Sequence, residues 1–208
     1  YGDNRELHSF PTRRSSDLIC RKNCMQREEA LELLHQYIAN PNLRKHCYAS
    51  EAVLRALATR LQHDAEKWGL AGLLHDLDVE LVNAAPEIHG HETARILTEK
   101  GIDPEIIEAI LLHNEMATDK PRQTVFHHAL AAGETITGLI TATALVYPDK
   151  KLASVKAKSV EKRMKEKLFA ASVNRDHIME CEKAGLPLGE FIQISLEAMC
   201  RVSDELGM

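Results

Sequence analysis

The sequence is poor in several things, and each shortage excludes a class of protein. No apolar run reaches the roughly 20 residues needed to cross a bilayer. The longest candidate, "ITGLITATALVYP", is short and carries several Thr. No alternation of apolar and polar residues marks a half-buried strand, aromatic residues make up only 4% of the chain, and no internal repeat is present. Positive charge is not in excess: the formal net charge is −5, which argues against a general nucleic-acid binder. Cysteines are few and no two are closely spaced after residue 24, so neither a disulfide framework nor a Cys-based metal cluster is expected. Reduced Cys47, Cys181 and Cys200 fit a cytoplasmic protein that makes no use of a membrane.

The opening stretch "YGDNRELHSFPTRRSSDL" lacks the apolar segment of an export signal. Apart from Asn4 and Glu6 it matches one reading frame of a common sequencing adapter. Residues 1–24 are therefore expected to be adapter-derived and upstream sequence, and residues 25–208 one helical domain beginning at Met25.

Ala, Leu, Glu and Lys are abundant, and apolar residues recur three and four apart. The spacing predicts an all-α bundle of packed antiparallel helices. Expected helices cover Arg27–Ala39, stopped by Asn40-Pro41, then "NLRKHCYASEAVLRALATRLQ", then "DAEKWGLAGLLHDLD" capped by Asp64. "PEIHGHETARILTEKG", closed by Gly101, "DPEIIEAILLHN" and Val125–Val146 follow. "SVKAKSVEKRMKEKLFAA", "NRDHIMECEKAG" and "PLGEFIQISLEAMCRVSDEL" complete the set.

Eleven His is a high count, but position matters more than number. His35, His63, His91 and His177 have polar neighbours and are expected at the surface. "AGLLHDLD" is different, because it sets His75 beside Asp76 directly after an apolar helical run. Ionisable groups facing a core need partners, and a metal ion is an efficient one. His46, His89 and His113 also lie at the edges of apolar faces, so four His and an Asp could converge on one or two divalent ions. Imidazole with carboxylate suits Mn, Fe, Mg or Zn. His127 and Glu134, seven apart, share a helix face, with packing or surface the simpler role for His127. The stretch 150–167 holds eight Lys or Arg and two Glu, most simply a solvated face. If any of these bind substrate, Lys156 and Arg163 are the expected pair.

These features, in this order ("LRKHCYASEAVLRALA", "EKWGLAGLLHDLD", "IHGHETARIL", "AILLHN", "ITGLITATALV", "AKSVEKRMKEKLFAASVNRD"), resemble the HD-domain superfamily of metal-dependent phosphohydrolases, particularly its compact HDIG-type bacterial members. The resemblance implies a hydrolase acting on a nucleotide or other small phosphoester through a metal-activated water. It assigns His46, His75, Asp76, His89 and His113 to the metal centre, with His75 and Asp76 as the catalytic pair and Asp76 bridging two ions. The last ligand is ordinarily Asp; here the match falls on Glu134, one methylene longer. The same framework serves di-iron oxygenases in a minority of HD proteins, and Glu134 leaves a non-catalytic sensor open as a third reading.

Overall fold

The computed structural model describes residues 25–208, so the expectations for residues 1–24, with Cys20 and Cys24, lie outside the described part. Among the described residues the regular structure is entirely helical. The elements are α1 (Arg27–Tyr37), α2 (Pro41–Leu61), α3 (Ala65–Leu74), α4 (His91–Glu99), α5 (Pro104–His113) and α6 (Val125–Leu145). A 3-10 turn (Leu152–Ser154) leads to α7 (Ala157–Lys165), α8 (Arg175–Lys183), α9 (Leu188–Arg201) and the short α10 (Ser203–Leu206). No described helix is long and apolar enough to cross a membrane.

Most helices start where a side chain satisfies an orphan N–H. The Asn40 side chain accepts from Asn42 N (2.8 Å), with Pro41 at the first position of α2. Asp64 accepts from the amides of Glu66 (2.9 Å) and Lys67 (3.1 Å), as expected of a cap. Asp103, Thr124 and Asn174 play the same part for α5, α6 and α8. Gly101, at φ +69°, closes α4 as the sequence suggested.

Two expected helices are shorter than their sequences suggested. Residues 76–90 form successive turns, and α4 begins only at His91 because Gly90 takes φ +102° and interrupts the helical path. The stretch 154–171 is helical only over Ala157–Lys165. Beyond it the chain turns, with Ala170 at φ +45°, and the Arg175 guanidinium gathers the carbonyls of Phe169, Ala170 and Val173.

The core runs from Ala30 to Leu206 as one apolar cluster. α2 lies at its centre, packed on α3, α6 and α9. Leu54 and Leu57 are fully buried on α2, each contributing about 1.5–3 kcal/mol of burial. α6 buries residues on almost every side, including Leu130, Ile136, Leu139 and Ile140, which explains its nearly continuous apolar sequence.

The α2–α3 contact is tight enough to demand glycine. A Cβ on Gly72 would lie 2.7 Å from the Ser50 carbonyl oxygen, a backbone atom that cannot swing aside. Gly72→Ala is expected to lower the unfolding free energy by about 1–3 kcal/mol through overpacking, measured by urea unfolding. An unchanged midpoint would mean that the two helices separate without cost.

Candidate metal centre

The six residues singled out from sequence come from five parts of the fold and meet at one place. His46 lies in the second turn of α2, His75 and Asp76 follow the last residue of α3, His89 precedes α4, His113 ends α5, and Glu134 is mid-way along α6. Helix ends suit this purpose, because adjacent side chains such as His75 and Asp76 can both turn inward once the helix has stopped. His46 Nε2 is 3.1 Å from His75 Nε2, and His89 Nε2 is 3.1 Å from His113 Nε2. Asp76 lies between these pairs, with Oδ1 at 3.3 Å from His75 Nε2, 3.1 Å from His89 Nε2 and 3.7 Å from His113 Nε2, and Oδ2 at 3.6 Å from His46 Nε2. Glu134 Oε2 comes within 3.7 Å of His46 Nε2, so the longer side chain does reach the cluster. Its side chain is only 16% exposed, so it is not a solvent-facing helical Glu.

Hydrogen bonds on the far side of each ring fix which nitrogen faces the centre. His75 Nδ1 donates to the Gly72 carbonyl at 2.9 Å, and His113 Nδ1 donates to the Ile110 carbonyl. A carbonyl can only accept, so the neutral form of each ring directs an Nε2 lone pair inward. His46 Nδ1 sits 3.0 Å from Thr137 Oγ1, whose own proton goes to the Glu134 carbonyl at 2.6 Å. His46 therefore donates there and also turns a lone pair inward. His89 Nδ1 donates to Asp78 Oδ1 at 2.7 Å. Imidazoles oriented from behind by carbonyls and carboxylates are the usual second layer of a metal site.

Converging lone pairs and a carboxylate repel one another unless a cation lies between them. In the metal-free protein protons take part of that role. Burial opposes a charge on His89, but the hydrogen bonds with Asp76 and Asp78 outweigh it and raise its pKa to about 10. Burial disfavours ionised Asp76 too, yet His75, the His89 hydrogen bond and His46 hold its carboxyl well below the usual range. Burial depresses His75 to about 3 and His113 to about 4, leaving both neutral. It also raises Glu134 to about 8. Ligand atoms of His46, His75 and Glu134 lie within 4.8 Å of one another, as do those of His75, Asp76 and His113. The donor set fits one or two divalent ions, His75 belonging to both groups.

Three contributing residues escaped the sequence reading. Asp78 is fully buried and makes a four-point junction: besides His89, it accepts from the amides of Gly90 (2.8 Å), Glu92 (3.1 Å) and Thr93 (3.1 Å). It thus caps α4 and fixes His89 at once; the signal was its place in "HDLD", two residues beyond Asp76. Asn114 ties the His89 turn down by donating to the carbonyls of Pro86 (2.6 Å) and His89 (3.0 Å). Arg122 closes the end of α5 by donating to the carbonyls of Leu112 (2.8 Å) and His113 (2.6 Å).

The other candidates lie elsewhere. Lys156 is the exposed residue before α7. Arg163 pairs with Glu166 and stands 4.2 Å above the Phe169 ring, outside the ligand cluster. His127 is buried, with Nε2 3.8 Å from Glu108 and Nδ1 accepting from Gln123 N, a packing role; His128 pairs with Glu180. His35, His63 and His91 are exposed as expected. His177 is not: its side chain is only 16% exposed, with Nε2 3.2 Å from Glu115, and it lines a cavity with His46 and Glu134. Cys47 is buried, and burial pushes its thiol pKa well up, consistent with packing.

Two expectations follow. Since His89 and Glu134 are protonated in metal-free protein at pH 7, loading should expel about two protons. Affinity should then rise with pH, about a decade per unit for each proton, until the pKa values of about 8 and about 10 are passed. Calorimetry in buffers of different ionisation enthalpy counts the protons, and a pH-independent affinity would contradict the account. Asp78→Asn should weaken metal binding about 10–100-fold by loosening His89, read by the same titration beside a thermal melt to register the damaged α4 cap.

Residues 43–142, which contain all six clustered side chains, match the family model of the HD domain. No curated protein and no solved structure gives a significant match. Residues 43–142 are thus an HD domain, and with the histidine and acid cluster compatible with metal binding the match supports membership of the HD-domain superfamily, most of whose members are metal-dependent phosphohydrolases.

Proposed function

We propose that residues 25–208 act as one domain that hydrolyses a small phosphoester at the His46, His75, Asp76, His89, His113 and Glu134 centre. The observation that carries this reading is the convergence of imidazole lone pairs on a carboxylate at a partly exposed site. His75 and His113 side chains are 1% and 6% exposed and His89 and Asp76 14% and 12%, whereas His46 and Glu134 are 25% and 16% exposed, so the widest approach among the described residues is past the latter two.

Divalent ions held there would acidify a bound water to a pKa of about 7 and neutralise phosphoryl oxygens. His75 and His113, locked by backbone carbonyls, keep their lone pairs aimed without needing to reorganise. Asp76, ionised and central, is within reach of both groups of ligands and would bridge them. Glu134, whose side chain is 16% exposed, would complete the ligand set as a carboxylate once the ions displace its proton. His177 lines the same cavity as Glu134. The reading needs no Ser or Cys nucleophile.

The test is phosphate release from a panel of phosphoesters and nucleotides, with Mn, Fe, Mg or Zn added to metal-stripped protein. Turnover should require a divalent ion and fall at least about 1,000-fold in Asp76→Ala, the scale of losing a central electrostatic group. Metal-bound, folded protein that releases no phosphate but consumes oxygen with iron would replace hydrolysis by oxidation.

A further inference from the structure

The more exposed edge of the centre leads into two cavities that together form a trough along α6. One, of about 290 Å³, lies between α6 and residues 172–177 and includes His46, Glu134, Gly138, Val173 and His177. The other, of about 380 Å³, lies among α6, the start of α2 and the end of the described chain, and includes Asn42, Lys45, His46, Gly138, Thr141 and Leu206. They share His46 and Gly138. A Cβ on Gly138 would sit 3.3 Å from Val173 Cγ2, so the missing side chain keeps the passage between them wide.

The contents of the trough are selective. Among the described residues no Phe, Tyr or Trp lines either cavity, although stacking on such a ring is a common way to hold a base. Trp68 is stacked on Phe126, Phe191 is buried, Tyr147 is bonded to Ser159 and Tyr48 to His35, so these rings are engaged elsewhere. Among the described residues the one Lys or Arg lining either cavity is Lys45, the residue before His46 on α2. It pairs with no carboxylate among the described residues, whereas Arg27, Arg55, Arg60, Lys67 and Arg95 all do. An unpaired ammonium beside a phosphate-binding centre, in a chain of net charge −5, has an evident use as the seat of a second anion.

Resting on the phosphohydrolase reading, we propose that the substrate is a non-aromatic phosphoester bearing a second anionic group. The scissile phosphate lies at the histidine centre, the aliphatic body passes Gly138, and the second anion is held by Lys45. This is narrower than the nucleotide expected from the family resemblance, and it makes Lys45 the specificity-determining residue.

The test measures binding and turnover separately, using full-length Mn-loaded protein. Calorimetry compares phosphoglycolate, 3-phosphoglycerate and 6-phosphogluconate with the corresponding phosphorylated alcohols, which lack only the carboxylate. Fructose 1,6-bisphosphate supplies the arm with a second phosphate, and AMP the aromatic arm. At least one ligand with two anionic groups should bind about tenfold or more tightly than its counterpart with the phosphate alone. Lys45→Gln should abolish that preference by weakening the two-anion ligand more than its counterpart, and Lys45→Arg should restore it. No preference in the wild type, a preference that survives Lys45→Gln, or AMP bound most tightly would overturn the proposal. Phosphate release from the same compounds separates the two readings: a Lys45-dependent preference without hydrolysis refutes the phosphohydrolase and leaves the anion site standing. Hydrolysis with no such preference does the reverse.

Discussion

Two backbone carbonyls, those of Gly72 and Ile110, hold the Nδ1 protons of His75 and His113. Both carbonyls belong to the last turns of helices, where the i−4 pattern leaves oxygens without an amide partner. The imidazole that follows three residues later supplies the missing donor and turns its other nitrogen inward. Helix termination and ligand orientation are therefore one event, occurring at the end of α3 and again at the end of α5. A helix continued by one more turn at either place would satisfy the carbonyl through the backbone and release the ring.

This dependence explains why the packing around α3 is so close. Gly72 provides the carbonyl and is also where α3 meets the Ser50 backbone of α2. The same contact that draws α3 against α2 brings His75 within 3.1 Å of His46, which α2 carries. Electrostatic repulsion between ligand groups has to be borne by the surrounding apolar contacts, and the fully buried Leu54, Leu57, Leu73 and Leu74 stand on both sides of that junction. The apolar core supplies the rigidity that holds ionisable groups closer together than they would stay in water.

Much of this was legible in the sequence, because a ligand in a helical bundle leaves a local trace: a polar residue at the margin of an apolar face. His46, His75, Asp76, His89 and His113 all leave that trace, and the structure brings them together. Glu134 was found by its place in a family pattern, and its extra methylene takes its carboxylate to 3.7 Å from His46. Asp78, Asn114 and Arg122 leave no such trace. Their partners are mostly backbone atoms, which every residue possesses, and whose availability depends on where helices stop. For the same reason, the late start of α4 was misread: Gly90 is left-handed where Asp78, twelve residues earlier, receives its amide. His177 has polar sequence neighbours and becomes half-enclosed only because the turn gathered by Arg175 sets α8 against α6.

The turn after α7 also bears on the more exposed edge of the centre. Had residues 154–171 formed one unbroken helix, as their composition suggested, the chain would not have folded back to place Val173 and His177 along α6. Arg175 commits its guanidinium to three carbonyls and so converts a strong helix-forming stretch into a wall of the cavity. The basic residues of α7 then project away from the ligand cluster, with Arg163 held by Glu166 and Phe169. Positive charge in this sequence is thus a poor guide to where an anion binds. Proximity to the lone pairs at the helix ends is the better one, and it favours a single lysine on α2 over the eight cations of the 150–167 run.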